Sequence, residues 1–591
     1  MIHNLMRSRD RPLFTSDCRL ENGLPVRATT PLHMLTVTAH RCRIRPQWTS
    51  ILNTFFIVLL GGLLAIQPVN LISAGDGTVD DLAVRSTKLE AAGQWPELVS
   101  LCETAARKGE LSNELYHRYD LAKIHCDLDR RSAEKAYQEA LGHITEREAR
   151  QLFVECLERI NSHHVTNPDL NKLISRGCLA LHVAVSDPQF QSMHARQATP
   201  DRVALLQQHI QHILEARSIG SLSDAETVAI WIARAAQSVV GVRPAVTFLE
   251  MTAASVGGLD EYSAFLTTGQ LNDLYAQIEG NFVGLGVELK SAEDGLLVVH
   301  VISGSPAERS GLKAGDHLIG IAGKPIAGMH VDAAAQLLQG PEGSRVTLAV
   351  LRGVGPARAM TVRREHVEIP SIENVELLDR VNGIGYLHIT SFQKKTASDL
   401  DAAMRQLDAA GMQSLIIDLR GNPGGLLSAA VDVSDLFIDR GLVVATRGRS
   451  PEEDFNYTAS HAGTWHMPIT LLIDSDSASS SEIFAGAIKD HNRGKIIGVQ
   501  SYGKGSIQGI FPMDAAGVGM RLTTAHFYSP TGQPYSRVGV SPDLWVQQTA
   551  RPDASGQMIN NDATLATALS EIRKTLSPVI SQPVARRIIA Q

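Results

Sequence analysis

Met467-Pro-Ile-Thr-Leu-Leu-Ile-Asp-Ser-Asp-Ser-Ala-Ser479-Ser-Ser-Glu482-Ile-Phe-Ala-Gly-Ala-Ile488 reads as an apolar strand, a serine-crowded turn and a helix. Strand and helix alternate around it: strand Ile384 to Ile389, helix Thr396 to Ala410, strand Ser414 to Leu419, helix Leu426 to Phe437, helix Ser481 to Lys489 and strand Lys495 to Val499. Alternation of that kind argues an α/β sheet. Within the turn, Ser479-x-x-Glu482 has the spacing of a helix capping box, which needs no catalysis. A serine placed there nonetheless has its oxygen beside free helix N–H groups and the positive end of the dipole, a setting that stabilises developing negative charge.

Two further segments raise the chemical reading. In Gly498-Val-Gln-Ser-Tyr-Gly503-Lys504-Gly505-Ser-Ile-Gln508, a lysine 25 positions after Ser479 sits between glycines behind an apolar strand. Such a lysine is poorly placed for snorkelling, and desolvation lowers its pKa towards that of a usable base. The same string nearly matches a P-loop. It fails at Gly505, where a magnesium-ligating hydroxyl belongs, and at Ser506 to Phe511, which reads as strand where a P-loop must open a helix. The other segment, Ser414-Leu-Ile-Ile-Asp-Leu-Arg-Gly-Asn-Pro-Gly-Gly-Leu426, is a buried strand breaking into a glycine loop before a helix. Glycines there let backbone N–H groups approach a substrate oxygen, although a plain tight turn is equally consistent locally.

Other catalytic classes fit less well. His461, His466, His491 and His526 surround the region, but none lies in a motif pairing it with Asp474 or Asp476, which read as turn formers. There is no H-E-x-x-H, and no cysteine follows Cys178, so a metallopeptidase motif and a cysteine nucleophile beyond that point are both missing. Cys102, Cys126, Cys156 and Cys178 are scattered through helical sequence and read as small buried hydrophobes, with a disulfide open to them in an oxidising compartment. A net charge of −7 gives no general basic field for nucleic acid.

Further from the serine, the chain of 591 residues divides by composition. Residues 1–47 are basic, and Met34 offers a start that would leave the preceding residues as an extension. No acidic residue occurs between Glu21 and Asp76, while Arg41, Arg43 and Arg45 precede the apolar run Phe55 to Ile66. This is the layout of a signal sequence or anchor over residues 48–75, with Ala74 as a cleavage position and everything beyond about residue 70 exported. Residues 76–167 read as helical hairpins, with a tetratricopeptide-like turn in Leu89-Glu-Ala-Ala-Gly-Gln-Trp-Pro-Glu-Leu98, and residues 168–280 remain helix-rich. Residues 281–368 are β-rich, with strands Leu296 to Ile302 and Ser344 to Arg352 and a helix Val331 to Leu338. The α/β core occupies 369–550, and a helix Ala563 to Leu576 lies in the tail 551–591.

The β-rich segment, with Gly284-Leu-Gly-Val287 and the run Gly304-Ser-Pro-Ala-Glu-Arg-Ser-Gly-Leu-Lys-Ala-Gly-Asp316, resembles a PDZ domain of the bacterial, protease-associated kind. A glycine-rich turn before an edge strand can point backbone N–H groups at one spot and hold a peptide's terminal carboxylate while the peptide adds as a strand. Together with the three chemical segments, Gly257-Gly-Leu-Asp-Glu-Tyr-Ser263, Leu522-Thr-Thr-Ala-His-Phe-Tyr-Ser-Pro-Thr-Gly-Gln533 and Gly539-Val-Ser-Pro-Asp543, the chain resembles the carboxy-terminal processing, or tail-specific, peptidases, a serine–lysine family. The resemblance covers about residues 257 to 546. Ser480 departs from the alanine usual at that position of the family motif.

The resemblance implies a multidomain α+β chain with an N-terminal helical region, a PDZ domain and an α/β protease core. It implies Ser479 as nucleophile, Lys504 as general base and Gln508 as the residue orienting the lysine, with the N–H groups of Ser480 and of Gly424 or Gly425 as the oxyanion hole. Gly284, Leu285, Gly286 and Val287 would receive the carboxylate of protein or peptide substrates with free C-termini. No metal or other cofactor and no nucleic acid partner is expected, and the location expected is extracytoplasmic, secreted or anchored by residues 48–67. The rival expectation is an inactive scaffold in which the PDZ and helical modules bind protein.

Overall fold

The computed structural model describes residues 79–292, 295–327, 337–338, 340–353, 355–460, 464–547, 551–552, 558–559 and 562–576. The basic segment, the apolar segment 48–75, most of the expected helix 331–338, His461 and much of the tail lie outside them.

The α/β core is a six-stranded sheet in the order Ile372–Asp379, Ile384–Ile389, Ser414–Asp418, Ile469–Ile473, Gly494–Gly498, Leu544–Trp545. Every neighbouring pair but the first runs parallel. Ser414–Asp418 and Ile469–Ile473 are buried at every residue, as central parallel strands covered on both faces must be. One face packs Leu387, Leu415, Ile417, Leu471 and Ile473 in a core with the helices Thr396–Ala409, Leu427–Asp435 and Ser480–Asp490. The alternate residues Ile384, Ile416, Leu472 and Ile497 meet Ala568 and Ile572 of the helix Ala563–Leu576. Because three adjacent strands run parallel, their carboxyl ends release the loops 419–426, 474–479 and 499–505 at one edge, where α/β sheets bind ligands. The three segments singled out in the sequence are those three loops.

A second, antiparallel sheet orders Ala264–Leu266, Gly519–Tyr528, Gly441–Gly448 and Phe455–Ala459, with Ser506–Pro512 also paired to Gly519–Tyr528. The segment after Lys504 is thus strand, as expected, and not the helix of a P-loop.

Before this core the described chain is helical from Val79–Ala91 to Pro244–Gly257. Pro244–Gly257 is apolar and buried almost all round, so it forms the interior of a core that runs from Ile124 to Val256. That core crosses the boundary expected at 167/168, and among the described residues Leu98, Cys102, Leu115 and Ala122 form a small cluster apart from it. It also takes in Phe511, Met513, Met520 and Leu522, so the helices pack directly on the hairpin that follows Lys504. Cys102, Cys126, Cys156 and Cys178 are free thiols, and burial pushes Cys102 and Cys126 up to about 11, which suits packing rather than reactivity.

The β-rich segment is a sheet ordered Val287–Ala292, Gly295–Val301, His317–Ile321, Arg345–Leu351, Arg358–Arg363, with Lys324–Pro325 paired to His317–Ile321. Leu289, Val298, Leu318, Leu348 and Val362 give it a core of its own. The chain enters and leaves it through the paired strands Asn281–Gly284 and Glu365–Glu368.

Candidate active site

Ser479 ends the loop from Ile469–Ile473 and opens the helix Ser480–Asp490. Its backbone lies at φ 56° and ψ −112°, a conformation that costs a non-glycine residue about 1–3 kcal/mol and that persists only where the surroundings over-determine it. They do so here. Asp474 Oδ1 accepts the N–H groups of Asp476 and Ser477 at 3.0 Å each, Ser477 Oγ donates to the Leu419 carbonyl at 2.8 Å, and Ser479 N–H donates to Glu482 Oε2 at 2.7 Å. Asp474 is therefore a turn former, as read from the sequence. The capping arrangement is tightest on its carboxylate side: Glu482 Oε2 takes the Ser479 N–H at 2.7 Å, and the Glu482 N–H goes to the Ser479 carbonyl at 2.9 Å. The strained turn sets the Ser479 hydroxyl at a helix N-terminus.

Glu482 has a larger part than capping. Its side chain is fully buried and accepts four donors: Ser479 N–H, Ser501 Oγ at 2.6 Å, Gly503 N–H at 2.6 Å and Lys504 N–H at 2.9 Å. Burial pushes its carboxyl above the usual range even against these bonds. One carboxylate thus pins the serine turn to the lysine loop. Gly505 closes that loop against backbone: a Cβ there would lie 2.2 Å from the Ser536 nitrogen, which accounts for glycine at the position where a P-loop carries its hydroxyl.

Lys504 is buried with its Nζ 5.1 Å from the centroid of the Tyr262 ring. Burial first, and the nearby Arg521 guanidinium second, lower its pKa to about 8, opposed by Glu482 and Glu261. Among the described residues Nζ makes no hydrogen bond, to Ser479 Oγ or to any other group. The expected contact of Gln508 with the lysine is not formed: Gln508 Nε2 donates to Ser506 Oγ at 2.9 Å. The physical reason is the irregular register at Ile507/Gln508, where the pairing with Gly519–Tyr528 slips and re-aims the side chain.

The two glycines of the loop differ in what their N–H groups meet. Gly424 N–H already donates to Asn422 Oδ1 at 2.9 Å, whereas the N–H groups of Gly425 and Ser480 have no partner among the described residues. Gly424 serves by closeness instead: a Cβ on it would sit 2.8 Å from Ser479 Cβ and 2.9 Å from the Ser480 nitrogen. Ser480, the departure from the family motif, donates its hydroxyl to the Gly425 carbonyl at 3.0 Å and ties the loop to the helix start.

Tyr262 and Arg521 escaped the sequence reading as site residues, because they reach Lys504 only through the tertiary fold. Arg521 Nε donates to the Tyr262 carbonyl at 2.9 Å. Asp260 fixes the same turn, accepting Tyr262 N–H and Ser263 N–H at 2.7 Å each and pairing with His164 Nε2 at 2.9 Å. These bonds outweigh burial and hold its carboxyl well below the usual range. Of the histidines around the serine, His466 is exposed, and His491 Nε2 meets the Leu442 carbonyl at 2.8 Å.

In the β-rich domain, Gly284 pairs with Glu365 and Val287 with Val301, which commits both to strands. Between them, the Leu285 and Gly286 carbonyls accept Ala307 N–H at 2.8 Å and Ile302 N–H at 3.0 Å, while the N–H groups of Leu285 and Gly286 carry no partner among the described residues. Gly286 lies at φ 80°, and a Cβ on it would strike Ser305 Cβ at 2.2 Å.

A parallel α/β sheet with a strained serine on its carboxyl edge, joined to a small six-stranded β domain, defines a PDZ-bearing serine peptidase. The chain belongs to peptidase family S41, whose sequence profile matches residues 383–546, and a PDZ domain profile matches residues 297–352. It is 38% identical over 297 residues to the carboxy-terminal-processing protease of Bartonella bacilliformis, covering 49% of this chain and 67% of that protein. It is 31% identical over 304 residues to a "Probable CtpA-like serine protease" of Staphylococcus aureus, covering 50% of this chain and 60% of that protein. Among solved structures, the photosystem II D1 C-terminal processing protease matches at a TM-score of 0.36 and 23% identity, over 70% of this chain and 96% of that one. The chain is accordingly a hydrolase of the serine peptidase type whose PDZ domain implies peptide binding.

Proposed function

We propose that this chain is an exported serine endopeptidase that captures a protein's C-terminus on its PDZ domain and cleaves peptide bonds by a Ser479–Lys504 mechanism. The observation that carries the reading is the buried Glu482 carboxylate, which binds the N–H of Ser479 and the N–H of Lys504 with one oxygen. In this reading neutral Lys504 Nζ takes the proton of Ser479 Oγ as the oxygen attacks the scissile carbonyl carbon. The N–H groups of Ser480 and Gly425 receive the oxyanion, the lysine returns the proton to the leaving amine, and water resolves the acyl-enzyme by the same route. Gln508, turned to Ser506, has no part in these steps. Leu285 and Gly286 N–H groups receive the substrate carboxylate.

The test is incubation of the purified protein with an unfolded protein bearing an apolar C-terminus, beside its Ser479→Ala form. Cleavage by the first and none by the second is expected; equal cleavage, or none by either, overturns the reading, and the latter leaves a scaffold. Export rests on Arg41, Arg43 and Arg45 ahead of the apolar run Phe55 to Ile66. A reporter fused after residue 80 should be active only outside the cytoplasm, equally with a start at Met34; activity inside the cell contradicts export.

A further inference from the structure

The glycine loop beside Ser479 is held near its start, at Arg420, by a group that comes from the end of the described chain. Arg420 lies two residues past the strand Ser414–Asp418, and its guanidinium is gripped from two sides. Asp418 accepts Nε at 2.9 Å and Nη2 at 2.6 Å, and Tyr386 Oη donates to the same carboxylate at 2.8 Å. Asp562 accepts Nη1 on Oδ1 and Nη2 on Oδ2, each at 2.8 Å, a bidentate pairing. Such a fork fixes direction as well as distance. Asp562 in turn begins the helix Ala563–Leu576, accepting Leu565 N–H on Oδ1 at 2.9 Å, and that helix is seated on the sheet by Ala568 and Ile572. It lies beyond residues 383–546, the part of the chain matched by the S41 family profile.

From Arg420 the loop runs to the serine through fixed bonds. Gly421 N–H donates to Asp474 Oδ1 at 3.0 Å, Asn422 Nδ2 to the Ile389 carbonyl at 2.8 Å, and Gly424 N–H to Asn422 Oδ1 at 2.9 Å. The Asn422 carbonyl accepts Ala478 N–H and Ser481 Oγ, each at 3.0 Å. The far end is pinned by Ser480 Oγ on the Gly425 carbonyl. An oxyanion donor on this loop acts only if its N–H stays fixed to a fraction of an ångström while charge develops.

We propose that Asp562 is a positioning residue for the peptidase reaction: through Arg420 it sets the loop 420–426 that presents the Gly425 N–H to the oxyanion, so that the helix Ala563–Leu576 is part of the active-site scaffold. This rests on the oxyanion assignment made above, and the experiment separates the two. In the full chain, Asp562→Asn keeps an oxygen to cap the helix but loses the charged fork. Backbone amide hydrogen exchange at Gly421, Asn422, Gly424 and Leu426, whose N–H groups are bonded, should quicken at least tenfold while exchange in Ile469–Ile473 stays unchanged, and kcat should fall about 10- to 100-fold with KM moving less than twofold. Affinity for a peptide aldehyde, which places an oxyanion at the site, should fall in parallel with kcat. The double variant Asp562→Asn with Arg420→Gln should be no worse than the worse single one.

A purely structural role would speed exchange across the whole sheet and leave kcat per folded molecule unchanged, and either result overturns the proposal. So does unchanged exchange at 421–426. If exchange quickens there while neither the parent nor the variant shows Ser479-dependent cleavage, Asp562 sets the loop but the loop serves no peptidase reaction, and the proposal falls with the catalytic reading rather than on its own account.

Discussion

Ser479 and Lys504, 25 positions apart, donate their backbone N–H groups to the same oxygen of the buried Glu482 carboxylate, at 2.7 and 2.9 Å. The other oxygen holds Ser501 Oγ and Gly503 N–H. Glu482→Ala leaves these donors buried without an acceptor, a loss of about 1–3 kcal/mol for each one that water cannot reach. Glu482→Gln does little better, because either orientation of the amide turns an NH2 towards two donors. Both variants should lower proteolysis at least ~100-fold and lower the melting temperature, measured by peptide hydrolysis and calorimetry. Wild-type rates in Glu482→Gln would show that the shared carboxylate does not hold the two segments in working register.

Lys504 predicts the pH dependence. The base must be neutral, and its pKa lies near 8, so kcat/KM should rise with pH through about 8 and level off above it. Lys504→Arg should be inactive, since arginine keeps its proton. The same burial acts on stability. A lysine lowered in the folded state destabilises it fully below about pH 8, and the penalty fades as pH rises towards the unfolded value near 10.5. Lys504→Met should therefore be inactive yet more stable than the parent at pH 7, on the order of 1–3 kcal/mol, with the gain shrinking in alkali. Denaturant melts at pH 7 and pH 10 check the sign; a gain that grows with pH would contradict it.

The backbone at Ser479 separates two inactive variants. At φ 56° and ψ −112° a side chain is strained, whereas glycine takes positive φ without penalty. Ser479→Gly and Ser479→Ala should both abolish cleavage, yet the glycine form should be the more stable by about 1 kcal/mol in spite of its larger unfolded-state entropy. Urea titration of the two proteins decides it, and a more stable alanine form would mean that the turn relaxes once the hydroxyl is gone.

The α/β alternation was legible because strands such as Ile469–Ile473 are short, apolar and flanked by turn residues, so burial by parallel neighbours is written into their composition. Ser479 and Lys504 drew the reading for a local reason too, each standing out against a glycine- or serine-rich turn, and the structure brings both turns onto the Glu482 carboxylate. Tyr262 was not: it meets Lys504 through the pairing of Ala264–Leu266 with Gly519–Tyr528, and nothing in a run of sequence marks so distant a contact. Gln508 misled because its direction depends on a slip in strand register that residue spacing does not reveal. The core shared by Ile124–Ile160 and Leu173–Val256 likewise hid from a reading by helix periodicity, which tells that a face is buried but not against which neighbour.

The N–H groups of Leu285 and Gly286, without a partner among the described residues, lead to the last prediction. Their own carbonyls are tied to Ala307 and Ile302, which fixes the direction of the two peptide planes before any ligand arrives. An ionised carboxylate received there forms charge-assisted hydrogen bonds worth roughly 1.5–3 kcal/mol, or about 10- to 100-fold in affinity. Amidating a substrate's C-terminus removes that charge. Cleavage of long substrates, which need capture on the PDZ domain, should therefore slow by about that factor, while short peptides that reach Ser479 unaided should be cut at unchanged rates. Gly286→Ala, whose Cβ would strike Ser305 and whose φ of 80° disfavours a side chain, should erase the difference between free and amidated long substrates. Paired rate measurements on one substrate in its two forms give the answer. Equal rates with the intact protein would leave the PDZ domain as a spacer, and capture of the substrate would have to lie elsewhere on the chain.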